Sequence, residues 1–241
     1  MHEARLHGLS RDGTNVQFDP RGFQWLGSPA QQPLVFVVWR DSPFKTFADL
    51  RERPSTFGTT SFGGDNYAMP MLTNQLMGTK IKVVAGYKGV NDIFHAMEQG
   101  EVQGSGMVVA SLLAKEDWMR EGKARVLLHF GAEPMRGMPE APAALDFAPD
   151  DVTRQMLRLY ALKYKTTYPF ILPAGAPADR LQTLRTAFDA MMQDPAFVKD
   201  ARRFGIDVDP VSGDAIKEIV DEIDRAPQEI IDRLKTYINA K

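Results

Sequence analysis

Twice between residues 55 and 100 an apolar run is followed by a glycine-containing polar loop and then by a helical stretch. No other feature constrains the fold as much. In the first copy a strand runs into Phe57-Gly58-Thr59-Thr60-Ser61-Phe62-Gly63-Gly64-Asp65-Asn66, and an apolar helix over 67–77 stops at Gly78. In the second, 80–84 reads as a strand, 85–91 as a loop, and 92–99 as a short helix closed by Gly100. Strand, loop and helix at such close spacing predict a mostly parallel sheet with right-handed crossovers, its loops gathered at the strands' carboxyl ends. Both loops are therefore expected to face one crevice.

The loop residues suit binding. Glycines permit positive φ, the hydroxyls of Thr59, Thr60 and Ser61 can donate, and Asp65 or Asn66 can cap the first turn of the helix. Free amides there, reinforced by the helix dipole, favour an anion, most simply a carboxylate. The Tyr87 hydroxyl and the amides after Gly89 can share that anion with Ser61 and Gly63. A plain strand-to-helix turn uses the same residue types, and Lys88 can equally point to water. Two sharper motifs are excluded. Gly58 and Gly63 have phosphate-loop spacing, but Gly64-Asp65 stand where Lys and Ser or Thr are needed. The Gly58 to Gly63 run also misses a nucleophile elbow by one residue, so Ser61 reads as a hydrogen-bond donor.

Composition removes other classes. A formal charge of −2 over 241 residues leaves no electrostatic footprint for nucleic acid or an anionic membrane. The absence of cysteine removes disulfides and thiol chemistry together. His2, His7, His95 and His129 form no i, i+4 pair and have no acid at ligand spacing, so no metal is expected. Carboxylate pairs such as Asp150-Asp151 and Asp221-Glu222 fit helix starts and solvated faces, so no catalytic residue is assigned. No cofactor fingerprint appears. The chain has no apolar run of about 18 residues to span a membrane, and as written it begins without a signal-peptide core.

Around this centre, 1–22 is expected to be an irregular arm, 23–27 and 34–39 strands, and 44–53 a helix capped by Thr46. A strand and polar turn over 102–111 precede a helix over 112–121 and a strand over 125–130. Prolines at 134, 139, 142 and 149 mark a long loop. Residues 150–163 read as a helix and 167–172 as a strand. Helices over 178–192, 196–204 and 215–225 follow, with a last one after Pro227.

The order of motifs resembles the receptors of tripartite tricarboxylate transporters, the Bug-type extracytoplasmic solute-binding proteins. The residues that carry the resemblance are Phe18-Asp19-Pro20 with Trp25-Leu26-Gly27-Ser28, Asp41-Ser42-Pro43-Phe44-Lys45-Thr46 with Asp49-Leu50, and the glycine-rich loop. Gly86-Tyr87-Lys88-Gly89, Gly100-Glu101-Val102, the Met138 to Pro142 run and Pro173-Ala174-Gly175-Ala176-Pro177 continue it to the carboxyl-terminal half. The resemblance implies a two-lobed α/β periplasmic binding protein, with lobe one made of 1–40 plus 151–241 and lobe two of 41–150. It implies a small organic acid or amino acid held in the interlobe cleft by Thr59, Thr60, Ser61, Gly63, Gly64 and Asp65 and by Tyr87, Gly89 and Val90. Two membrane components of a transporter would then be the partners, and the periplasm the location. Gln103 and Asp65 depart from the family's usual residues, so the usual substrates do not carry over. The family's opening strand-loop-helix unit and signal peptide also have no counterpart here. Lobe one is thus expected to be incomplete, the cleft weakly binding, and its edge covered by the arm or by a second copy in a homodimer; the location is cytoplasmic if this start is genuine.

Two other functions compete with that reading. One is an enzyme of small carboxylic acids using the same crevice. The other is a remnant that dimerises without binding.

Overall fold

The computed structural model describes residues 19–238 apart from 63, 132 and 136–139. The expected arm therefore lies almost wholly outside the described residues. Its end is a 3-10 turn, Pro20–Gly22, where the Asp19 carboxylate accepts from the Arg21 amide. The chain divides into two compact units, Met1–Gln32 with Leu162–Ile231 and Pro33–Ala161 with Asp232–Lys241.

The second unit is built on a five-stranded sheet. Its strands are β2 (Leu34–Trp39), β3 (Ser55–Thr59), β4 (Ile81–Ala85), β5 (Gly104–Val108) and β6 (Ala124–His129), in the order β4-β3-β5-β2-β6. β3 is parallel to β4 and β5, whereas β2 is antiparallel to both β5 and β6. Four strands thus share one direction, and β2 alone runs against them. This unit has the mostly parallel sheet expected. β2 is placed in it by pairing on both edges, although the sequence reading grouped that strand with the other lobe. Every residue from Leu34 to Val38 is at most 1% exposed, as a continuous apolar run in a central strand requires.

Helices cover both faces. They are α1 (Asp49–Glu52), α2 (Asp65–Met77), α3 (Val90–Glu98), α4 (Val109–Leu113), α5 (Glu116–Arg120) and α6 (Asp151–Leu162). On one face Val35 and Val37 pack with Ile93, Phe94 and Met97 of α3 and with Trp118 of α5. Elsewhere in the core Phe36 meets Phe57 and Phe130 edge-on at 5.3 and 5.0 Å. Such pairs add to what area burial supplies. β5 can lie this close to β2 because Gly104 has no side chain: a Cβ there would sit 2.5 Å from the Val37 carbonyl oxygen.

The expected helix over 44–53 is shorter, and Thr46 does not cap it. Instead the Asp49 carboxylate turns back to accept from the Lys45 and Thr46 amides at 2.7 and 2.8 Å. Those two bonds, and then Arg53, hold its pKa far below the usual carboxylate range. Three residues ahead of α1 are thereby spent on a turn. The expected helix over 112–121 is two, α4 and α5, broken at Lys115.

The first unit holds a smaller sheet, β7-β1-β8, from β1 (Gln24–Ser28), β7 (Phe170–Leu172) and β8 (Val211–Ser212). β1 is antiparallel to both neighbours, so the parallel sheet expected for this lobe is not what the described residues form. A parallel pair needs a crossover helix between consecutive strands. Here the chain leaves after β1 and returns 142 residues later (170 − 28) with β7. Against this sheet lie α7 (Ala178–Gln193) and α9 (Gly213–Arg225), α8 (Pro195–Arg203) packs on α7, and α10 (Gln228–Ile238) ends the described chain. Close approach again depends on glycine, since a Cβ at Gly27 would lie 2.3 Å from the Phe188 ring. Among the described residues no helix is long and apolar enough to cross a membrane.

Candidate functional site

β3 and β4 run side by side in parallel, with Thr59 opposite Ala85. The loops that leave them therefore start together at the carboxyl end of the sheet. They are also joined directly: the Thr59 carbonyl accepts from the Gly86 and Tyr87 amides at 3.2 and 3.4 Å. Gly86 makes that turn at φ 116, a conformation few side-chain-bearing residues adopt. The side-by-side loops expected from the crossover rule are what the structure has.

Each loop ends in a glycine that precedes a helix. Gly64 is the N-cap of α2 and Gly89 that of α3, and neither has a side chain to cap the amides that follow. Asp65 is the first helical residue of α2, so it is not the N-cap that the sequence suggested. Asn66 does not cap either; its Nδ2 donates to Thr60 Oγ1 at 3.2 Å and ties the loop to the helix. Val90 is the first residue of α3, two positions earlier than expected.

The predicted site residues divide by exposure. Thr59 is buried, and its hydroxyl is turned inward to the Ser61 carbonyl at 3.4 Å. Thr60, Gly64, Asp65, Gly89 and Val90 are half-buried, while Ser61 lies exposed at the turn. Gly63 lies outside the described residues. Beside Ser61, Phe62 is 65% exposed and meets Tyr67 edge-on at 5.4 Å. In the other loop the Tyr87 ring leans against Gly58, where a Cβ would stand 3.1 Å from Tyr87 Cε2. Burial, and then Glu101, raise the Tyr87 pKa, so the hydroxyl stays protonated and able to donate at neutral pH. The Lys88 amide donates to Asp92 Oδ2 at 3.1 Å, which sets the entry into α3.

Three contributors escaped the sequence reading. Ser111 and Lys115 follow β5, the third parallel strand, and with Lys88, Gly89 and Asn91 they line an open depression of about 640 Å³. Lys115 Nζ stands 5.3 Å from the centre of the Phe94 ring. The strand-loop-helix pattern, applied once more to 104–113, signals them. The third is Tyr160 of α6, whose hydroxyl donates to Asp65 Oδ1 at 3.1 Å across 95 residues of sequence; no local pattern signals it. Gln103, noted as a departure, clasps the sheet: its Oε1 accepts from the Thr56 amide at 2.6 Å and its own amide donates to the Thr56 carbonyl. No group of three potential metal ligands occurs among the described residues.

Solved proteins share this architecture. A TctC solute-binding protein from Polaromonas, without ligand, superposes with a TM-score of 0.69 at 14% identity, covering 94% of this chain and 72% of that one. An R. palustris protein solved with adipate gives 0.56 at 19% identity, over 92% and 72%. MatC from Rhodopseudomonas palustris with bound malate gives 0.53 at 16%, over 98% and 76%. At these identities the likeness is one of fold, and the class it defines is the periplasmic-binding-protein-like α/β proteins. Within that class the chain belongs to the tripartite tricarboxylate transporter family receptors, whose family model matches residues 13–235. A comparison with curated proteins found no match.

Proposed function

We propose that the chain is the solute-binding receptor of a tripartite tricarboxylate-type transporter and holds a small carboxylated solute at the carboxyl ends of β3, β4 and β5. The observation that carries this is the pair of glycine-preceded helix starts, at Gly64 and Gly89, brought together by the Thr59 carbonyl. Two sets of leading amides, each at the positive end of a helix dipole, suit an anion. Lys88 and Lys115 add positive charge beside the second. The bound malate and adipate of two structural relatives point to the same ligand class.

In this reading Thr60, Ser61 and Gly64 supply donors from one loop, and Tyr87, Gly89 and Val90 from the other. Thr59 shapes the turn from beneath. The chain works by binding without turnover, in the periplasm, and passes its solute to the membrane components of the transporter. Calorimetry with C4 to C6 dicarboxylates, and with the corresponding diamides as controls, tests it. Binding of a diacid but not its diamide, weakened at least tenfold by Tyr87→Phe or Gly89→Pro, is expected. Equal binding of the diamide, or none of any acid at millimolar concentration, overturns it.

A further inference from the structure

Within the glycine-rich loop Asn66 and Thr59 make side-chain bonds of 3.2 and 3.4 Å, and Ser61 and Phe62 are exposed. From outside, its last residues are reached by Tyr160. That residue is 1% exposed in α6, and its hydroxyl donates to Asp65 Oδ1 at 3.1 Å. A buried phenol needs a partner for its O–H, and a bond to an ionised carboxylate is stronger than one between neutral groups. Asp65 also sits where the α2 dipole favours negative charge, so the bond and the helix start support the same arrangement.

We propose that Tyr160 is the positioning residue of the glycine-rich loop. By holding Asp65 it fixes the first turn of α2, and with it the direction in which the amides after Gly64 point. Its benzene ring fills the core; its oxygen serves the loop. Because ring and hydroxyl do separate jobs, Tyr160→Phe removes the second and keeps the first. The role in ligand affinity rests on the function proposed above, whereas the ordering of the loop does not.

Hydrogen exchange on the ligand-free 241-residue chain decides the ordering. Tyr160→Phe is expected to speed exchange of the Tyr67 and Ala68 amides, which donate to the Gly64 carbonyl, roughly tenfold, the loss of one hydrogen bond to a charged group, while β2 and β5 accelerate by no more than that. Adding Tyr160→Phe to Asp65→Ala is expected to change nothing further there. Unchanged exchange at Tyr67 and Ala68, or an additive double variant, each overturns the proposal. Calorimetry with malate and with adipate is the second arm: Tyr160→Phe is expected to weaken about tenfold whichever acid binds. If neither acid binds the parent chain, the receptor reading fails while exchange still settles the part played by Tyr160.

Discussion

β2 and β7 are alike as sequence and opposite as structure. Leu34-Val35-Phe36-Val37-Val38 and Phe170-Ile171-Leu172 are both unbroken apolar runs. In β2 no residue of the five exceeds 1% exposure, while Phe170 and Ile171 are 46% and 43% exposed. The difference is position. β2 has a partner on each edge, and packed layers cover its faces; β7 pairs with β1 alone and ends its sheet. Apolar content tells that a segment can be buried, but the number of neighbours decides whether it is.

The comparison breaks most readily at its extremes. Phe36→Ala, which removes a ring wedged between Phe57 and Phe130, should cost about 3–5 kcal/mol. Phe170→Ala should cost less than about 1 kcal/mol. Urea denaturation of both variants, followed by Trp39 and Trp118 for the second unit and Trp25 for the first, measures the gap; equal costs would show that edge and centre pack alike. Next in size is Gly27→Ala, which drives a methyl into the Phe188 ring and should cost about 1–3 kcal/mol by overpacking. Phe188→Leu in the same chain should recover part of it. This sharpens the contrast, because it finds the tightly packed point of the sparser unit.

A third effect belongs to the second unit alone. His129 is buried at the end of β6 and accepts from the Gly131 amide through Nδ1 at 3.1 Å, which requires a neutral ring. Burial pushes its pKa down, against a smaller opposing pull from Asp146. In the unfolded chain the ring titrates near 6.5. Between the two values the unfolded state binds the extra proton, so stability is lost as pH falls below about 6.5. Melting curves between pH 7.5 and 5 should show a loss at Trp39 and Trp118 that His129→Gln removes. Smallest is Ile171→Lys, a charge on a sheet edge of the kind natural edges carry, expected to shift stability by no more than about 0.5 kcal/mol.

The candidate site was legible in so far as its geometry is local. The alternation of strand, glycine loop and helix was enough to place Thr59 beside Gly86, because crossover handedness leaves parallel neighbours no other arrangement. The same reasoning missed Ser111 and Lys115 only by stopping one strand short. Asp65 and Thr46 are not the caps expected, because any residue able to cap has the same local signature; Gly64 is the N-cap of α2 and Ala48 that of α1. Tyr160 could not have been found, since its contact with Asp65 is made by the packing of α6 and leaves no trace in spacing. For the same reason the antiparallel direction of β1 was hidden, as its partners are supplied by a distant return of the chain.

That return sets an order of events during synthesis. β1 is made before every strand of the larger sheet, yet its partners across the ladder are Leu172 and Val211, 148 and 183 residues later (172 − 24 and 211 − 28). The strands of the larger sheet all lie between Leu34 and His129. At about 5–20 residues per second, Gln24 waits roughly 7–30 s for Leu172 to be made, and by then every strand of the larger sheet already exists. The β7-β1-β8 sheet is therefore the later of the two that can form, and Phe23, Trp25 and Leu26 wait for their partners throughout that interval.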